Sequence, residues 1–231
     1  MGGPMTYRLL IADKSYSSWS LRGWLSFHAF DIPCEVTSTR MYCDDFARDL
    51  AAFASVPLRT VPVVRTPDGG VLTDSVAIAW HLAEAFPGRG LLPAGAAARA
   101  DALSLIAEMH SGFSALRGDC PMNLRTGWKG FRPSGAVLAD LDRVETLWER
   151  SLAAHGGPWL CGEYSLADVF FAPLATRIVT YGLPASDLAR GYIARHLSHP
   201  SFVQWRAAGL AEGPDQPNYE MGLPRRDFAL S

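Results

Sequence analysis

The sequence predicts an α/β domain joined to an all-helical one, and two patterns carry that reading. From Tyr7 to Phe86, short strand-like runs alternate with helical ones in the order βαβ-α-ββα. From Ala97 onward the apolar spacing is helical throughout, without a strand pattern. Pro87-Gly88-Arg89-Gly90 and Pro93-Ala94-Gly95 punctuate the chain between them and read as a linker. The expected division is 5–86 for the first domain, 87–97 for the linker and 98–231 for the helical domain with its tail.

Tyr7 to Ala12 is an apolar run of strand length, followed by the polar loop Asp13-Lys14-Ser15-Tyr16-Ser17-Ser18. Trp19 to Phe30 has near-helical apolar spacing; Ser17 or Ser18 can cap it, and Pro33 follows its end. Cys34 to Ser38 is a second strand, and Asp44-Asp45 place acid in the first turn of a short helix ending at Phe53. Val63-Val64-Arg65, the turn Pro67-Asp68-Gly69-Gly70 and Val71-Leu72 form a hairpin. Asp74-Ser75 then opens the helical run Val76 to Phe86. This order is that of a thioredoxin-like domain with a mixed four-stranded sheet.

In the second half, helices are expected over Ala98–Leu116, Ser134–Ala154, Ser165–Tyr181, Asp187–Ser198 and Ser201–Leu210. Ser165-Leu166-Ala167-Asp168 is a capping-box pattern before Val169-Phe170-Phe171-Ala172, which marks a buried axis and a structural, not catalytic, motif. Glu212 to Pro224, rich in Gly and Pro, reads as an extended tail packed on the surface or partly disordered. Trp128, Lys129, Phe131 and Arg132 read as an aromatic-basic loop, a lid or surface packing.

Composition narrows the function classes. With 231 residues, 48% hydrophobic and 19% charged, the chain can bury a full core. A formal net charge of −2 gives no electrostatic case for nucleic acid or an anionic membrane. No apolar run reaches a membrane span, and Met1-Gly2-Gly3-Pro4 lacks a leader pattern. Cys34, Cys43, Cys120 and Cys161 are scattered without a C-x-x-C pair, as expected of reduced thiols in a cytoplasmic protein, and no spacing suggests a metal site.

The stretch Thr60-Val61-Pro62-Val63-Val64 carries the chemistry. Pro62 cannot donate to a ladder, so it belongs at a strand's start or edge. If Val61-Pro62 is cis, Val61 turns its N–H and C=O outward to pair with an extended peptide, beside the open N–H groups of the helix that Asp74-Ser75 begins. These parts make a peptide-binding clamp; the alternative is an edge hairpin with an ordinary N-cap.

The combination of this clamp, the βαβ-α-ββα order and a helical half with Ser-x-x-Asp resembles the cytosolic glutathione transferases over roughly Tyr7 to Leu210. Ser17-Ser18-Trp19-Ser20-Leu21-Arg22 and Pro57-Leu58-Arg59-Thr60-Val61-Pro62 are similar to the serine motif and loop of the zeta, or maleylacetoacetate isomerase, class. Thr60 stands where that class carries an amide, and Asp74-Ser75 where it carries Gln-Ser. The resemblance implies that Ser17, or Ser18 beside it, is catalytic. It implies glutathione contacts at Ser15, Arg40, Thr60, Val61, Pro62, Asp74 and Ser75, and a homodimer. The chemistry agrees: a cysteinyl thiol with a pKa of roughly 8.5 is mostly protonated at neutral pH. A hydroxyl donor and a helix N-terminus both favour its charged form.

An electrophile pocket is expected from the first long helix of the second half, where His110, Phe113 and Arg117 fall on one helical face. The resemblance adds Arg177, near where the zeta class places a substrate-carboxylate arginine but one turn before the directly matching Thr180. One cation and one titratable ring in apolar surroundings suit a planar acidic electrophile; a packed core histidine with a surface arginine is the alternative. The reading is a glutathione transferase, with two others beside it: a glutathione-dependent cis-trans isomerase and a non-catalytic glutathione-binding module. A disulfide oxidoreductase would want a cysteine where Ser17 and Ser18 stand.

Overall fold

The computed structural model describes residues 6–230; Met1–Pro4, Met5 and Ser231, where the outermost domain limits (5 and 231) and the leader reading fall, lie outside them. The chain runs β1 (Tyr7–Ala12), α1 (Ser18–His28), β2 (Cys34–Thr39), α2 (Asp45–Phe53), β3 (Val63–Arg65), β4 (Val71–Leu72) and α3 (Ser75–Ala85). The strands form one sheet in the order β2-β1-β3-β4, with β1 and β2 parallel and the other pairs antiparallel. This is the mixed sheet the sequence predicts. β1 is apolar on both faces because both are covered. Leu9 and Ile11 face the main core with α1 and α3, while Leu10 and Ala12 join Leu50, Phe53, Val61 and Val63 under α2.

A 3-10 turn at Pro87–Arg89 leads to the helices α4 (Ala96–Ser111), α5 (Ser114–Asp119), α6 (Gly135–His155), α7 (Leu166–Tyr181), α8 (Asp187–Ser198) and α9 (Pro200–Ala211). Every residue of α7 is buried. Its capping box is formed, and the Asp168 carboxylate accepts from the Leu160 and Ser165 N–H groups and from the Tyr192 hydroxyl. Burial pushes this carboxyl up to about 6, although each of those donors favours its charged form. The motif ties three segments together, as a structural role requires.

Two expectations change. The run 98–116 is not one helix: α4 stops at Ser111, Phe113 turns left-handed with φ 56°, and α5 begins anew. Gly112 weakens the helix there, and the Arg117 guanidinium donates to the His110 and Gly112 carbonyls that the break exposes. The second half also contains strands, β5 (Gly127–Trp128) and β6 (Arg225–Arg226), paired antiparallel. Two-residue strands show no period, and their partner lies far along the chain. Trp128 is therefore 1% exposed under that ribbon and is no surface lid. The tail beyond Ala211 packs on the surface, one of the two readings of it: Met221, Leu223, Phe228 and Leu230 lie partly buried against the main core.

α1 lies between the sheet and α7. Arg22, 1% exposed, donates from Nε to the Phe170 carbonyl, and its guanidinium sits 4.4 Å from the Trp19 ring. Gly23 faces the other way; a Cβ built there would lie 2.7 Å from Pro62 Cβ, so only glycine admits this approach. Nearby, His28, His196 and His199 gather around Trp24, Trp159 and Tyr164.

Burial and the adjacent His199 pull the His196 imidazole down to about 3, and burial also lowers His199 and His28. With its pKa so low, His196 stays neutral in the folded chain where an unfolded histidine protonates, below about 6.5, so its contribution to stability is complete at neutral pH and declines as pH falls through that value. Denaturant unfolding of His196→Phe should therefore lose stability less steeply than wild type between about pH 7 and pH 5. Equal slopes would remove His196 as the source.

Candidate functional site

Tyr16, Ser17 and the first turn of α1 form the floor of a cavity of about 460 Å³, walled by Tyr42 and Tyr219 and by Arg117, Met122 and Arg177. Ser17 caps α1: its Oγ accepts from the Ser20 N–H at 3.2 Å and pairs with the Ser20 hydroxyl at 2.7 Å. Ser20 Oγ in turn accepts from the Ala12 N–H. Ser18 is the first residue of the helix, less buried, and its Oγ accepts from Arg177 Nη2 at 3.3 Å. Both serines line the cavity, with the open N–H groups of α1 beside them.

A second cavity of about 270 Å³ lies on the other side of Trp19, bounded by Thr60, Val61, Pro62, Asp74, Ser75 and His110. Val61-Pro62 is cis, and no hydrogen bond closes on the Val61 backbone among the described residues. Asp74 caps α3 by accepting from the Val76 N–H at 2.7 Å. Ser75, 2% exposed at the helix start, has a buried hydroxyl without a partner. A peptide-like ligand could supply what this cradle leaves unpaired: backbone partners for Val61, and an acceptor for the Ser75 hydroxyl and the helix N–H groups. Trp19 borders both cavities, so they adjoin.

Cations dominate the first cavity. Arg117 sits 4.9 Å from the Trp19 ring, on which Arg22 also rests, and Arg177 donates from Nε to the Cys120 carbonyl. Burial, with the neighbouring guanidiniums, pulls Arg177 down to about 10 and Arg22 well below its usual value. No Asp or Glu lines this cavity among the described residues. Nη1 of Arg177 and both terminal nitrogens of Arg22 have no hydrogen-bond partner. An uncompensated buried guanidinium is costly, and an anion in the cavity would offset that cost.

The sequence-derived residues are distributed as follows. Ser17, Ser18, Arg117 and Arg177 share the first cavity; Thr60, Val61, Pro62, Asp74 and Ser75 share the second. His110 joins the second, with Nε2 at 3.7 Å from Asp74 and its ring edge-on to Trp19. Phe113 points into the core against Phe171, because the helix break rotates it away from His110 and Arg117. Ser15 and Arg40 line neither cavity; they border a third space of about 220 Å³ beside the tail. Ser15 is 1% exposed and donates to the Gly209 carbonyl. Three of the four cysteines, Cys34, Cys120 and Cys161, have thiols pushed by burial up to about 11, 12 and 11, and no cysteine side chain lines either cavity.

The tail contribution was missed from sequence. Tyr219 stacks near Tyr16 with ring centroids 4.7 Å apart, and Gln216 donates to Asp13 and to the Met41 carbonyl. Glu212 pairs with Lys14, and Asp215 pairs with Arg125 at 2.7 Å and Arg225 at 3.0 Å while accepting from the Tyr16 hydroxyl. Its sequence signal was slight: three acidic residues, Glu212, Asp215 and Glu220, and one tyrosine, Tyr219, inside a Gly/Pro-rich stretch. Asp215→Ala should raise amide hydrogen exchange in 13–17 and 212–226 about fivefold, the equivalent of roughly 1 kcal/mol of local opening. Unchanged exchange would mean that Glu212 and Gln216 hold the loop alone.

No group of three or more potential metal ligands occurs among the described residues, and no helix there is long and apolar enough to cross a membrane. The family model for the glutathione S-transferase N-terminal domain matches residues 16–85. Glutathione S-transferase GstA of Escherichia coli O157:H7 is 31% identical over 125 residues, 51% of this chain and 57% of that protein, so the match spans just over half the length of that relative. A glutathione transferase homolog from Burkholderia gl BGR1, crystallised with bound glutathione, superposes with a TM-score of 0.68 at 21% identity over 90% of this chain and all of that one. A glutathione transferase from Methylococcus capsulatus Bath gives a TM-score of 0.64 at 20% identity over 88% of this chain and 98% of that chain. The fold is therefore that of the glutathione transferases, and residues 16–85 match the N-terminal domain of that family.

Proposed function

We propose that this protein is a glutathione transferase that stabilises the thiolate of glutathione with a serine hydroxyl at the start of α1 and conjugates it to a small electrophile. In this reading 5–86 is the glutathione-binding domain, 87–97 a linker, and 98–231 supplies the electrophile pocket. The observation that carries it is the buried, unpartnered hydroxyl of Ser75. It lies at a helix start beside cis Val61-Pro62 and across Trp19 from the two serines.

The division of labour follows from chemistry. The Val61 backbone pairs with the cysteinyl residue of glutathione, and Asp74, Ser75 and the α3 N-terminus take its γ-glutamyl end, the carboxylate at the N–H groups and the amine at Asp74. His110, across from Asp74, closes that end from the helical domain. The cysteinyl sulfur then reaches the first turn of α1, where a hydroxyl donor, the helix N-terminus and a cationic surround favour loss of its proton to solvent. The thiolate attacks the electrophile in the larger cavity: a carbon–sulfur bond forms, and a leaving group departs or a proton is taken up. Arg117 and Arg177, without a carboxylate partner in that cavity, favour an electrophile bearing a negative charge.

That preference for an anion also supports a second reading, a glutathione-dependent cis-trans isomerase acting on an unsaturated acid. There the thiolate adds, the bond rotates and the thiolate leaves. Turnover of an aryl halide and of a maleyl-type cis acid, each with glutathione, separates the two. Activity with the first supports transfer and with the second isomerisation, whereas glutathione binding without turnover of either supports a non-catalytic module.

Ser75→Ala tests the clamp itself. Its hydroxyl has no protein partner to lose, so thermal stability should change little. Calorimetric affinity for glutathione should fall about tenfold, the equivalent of roughly 1.4 kcal/mol. Unaltered affinity would remove Ser75 from the binding site.

A further inference from the structure

Resting on that proposed function, we infer that Ser18, not Ser17, presents the hydroxyl hydrogen to the glutathione sulfur, and that Arg177 is a positioning residue that acts on the sulfur through Ser18. The two neighbouring serines differ in what their hydroxyls already do. Ser17 is spent on the helix: its oxygen takes the Ser20 N–H, and it shares a 2.7 Å hydroxyl contact with Ser20, which also takes the Ala12 N–H. Its hydrogen is donated to Ser20 Oγ, so drawing that hydrogen toward a ligand would break the bond between the two hydroxyls.

Ser18 has the opposite arrangement. Its oxygen accepts from the Arg177 guanidinium at 3.3 Å, and no other hydrogen bond engages it. A guanidinium carries donors only, so the hydroxyl must be the acceptor there, and its single hydrogen is left for a second acceptor. A hydroxyl polarised by a cation is also a stronger donor, since bonds in a chain reinforce one another where water is excluded. Arg177 is itself firmly held, with its Nε anchored on the Cys120 carbonyl, its side chain 4% exposed and its backbone in the fully buried α7. Burial lowers its pKa to about 10, which still leaves it charged at neutral pH. Other cations surround it. Arg22 and Arg117 flank Trp19, the residue after Ser18, and no carboxylate lines the cavity among the described residues. A thiolate at Ser18 is the anion this arrangement lacks. The sequence offered no route to this pairing, since 159 positions separate the two residues.

The test titrates the ultraviolet absorbance of the thiolate of enzyme-bound glutathione in wild type, Ser17→Ala, Ser18→Ala, Arg177→Met and the Ser18→Ala/Arg177→Met double variant. In wild type the bound thiol should ionise at least about one pH unit below free glutathione. Ser18→Ala and Arg177→Met should each lower the thiolate fraction at neutral pH about tenfold, and the double variant should lose no more than the larger single change, because Arg177 acts through Ser18. Ser17→Ala should leave the titration in place while reducing stability.

A structural role alone would lower stability without moving the titration. If Arg177→Met does not fold, Arg177→Lys is read in its place; it keeps the charge but cannot hold the Cys120 carbonyl and Ser18 together, so the same shift is expected at smaller size. Additive losses in the double variant, a titration displaced by Ser17→Ala but not by Ser18→Ala, or an Arg177 variant with the wild-type titration would each overturn the inference. Glutathione that binds wild type with an unshifted thiol would overturn the proposed function instead, and this inference with it.

Discussion

The close fit of α1 between the sheet and α7 is the constraint on which the rest of the molecule depends. On one side Gly23 meets Pro62 so tightly that no side chain fits between them. On the other, Arg22 reaches the Phe170 carbonyl and Trp19 takes the guanidiniums of Arg22 and Arg117 on its ring. The same short helix thus sets the position of the cis Val61-Pro62 bend and the position of the buried axis of the helical domain. Contributions from both domains converge at its N-terminus, and the two adjoining cavities meet there at Trp19. The loop residues that line the site, Tyr16, Ser17 and Val61-Pro62 among them, are therefore anchored on a packed helix, which is what aligning a charge a few ångströms from its partner requires.

Local chemistry made part of this legible. The hairpin Val63–Leu72, the N-cap Asp74 and the capping box at Ser165 and Asp168 depend on neighbours a few residues away, and the structure has each of them where their residue types point. The grouping of the smaller cavity's residues is legible for the same reason: Thr60 to Pro62 and Asp74-Ser75 flank one hairpin, which folds them together.

What the sequence concealed is governed by contacts across long separations. Helical spacing placed His110, Phe113 and Arg117 on one face, but the break at Gly112 and Phe113 sends them to the clamp, the core and the larger cavity respectively. The compensation for that break comes from Arg117 itself, a side chain whose capping role no local pattern announces. Ser15 and Arg40 sit in or beside the loop that leads to the serines, yet their partners are the carbonyls of Gly209 and Pro214. The tail was equally opaque: its order comes from side chains reaching back roughly two hundred positions to Asp13, Lys14 and Tyr16.

The cysteines bear on a different matter, the chemical safety of the protein. A protein that concentrates electrophiles in a cavity invites attack on itself, and sulfur is the nucleophile most at risk. Cys34, Cys120 and Cys161 are held as neutral thiols by the apolar surroundings that bury them. Cys43, the exposed one, lies in the loop before α2 and directs its sulfur to the Arg40 carbonyl. In the function proposed above, an electrophile in the larger cavity meets only one reactive sulfur, and that sulfur leaves with the product. Self-protection is then a property of the packing, built into the same interior that holds the two domains together.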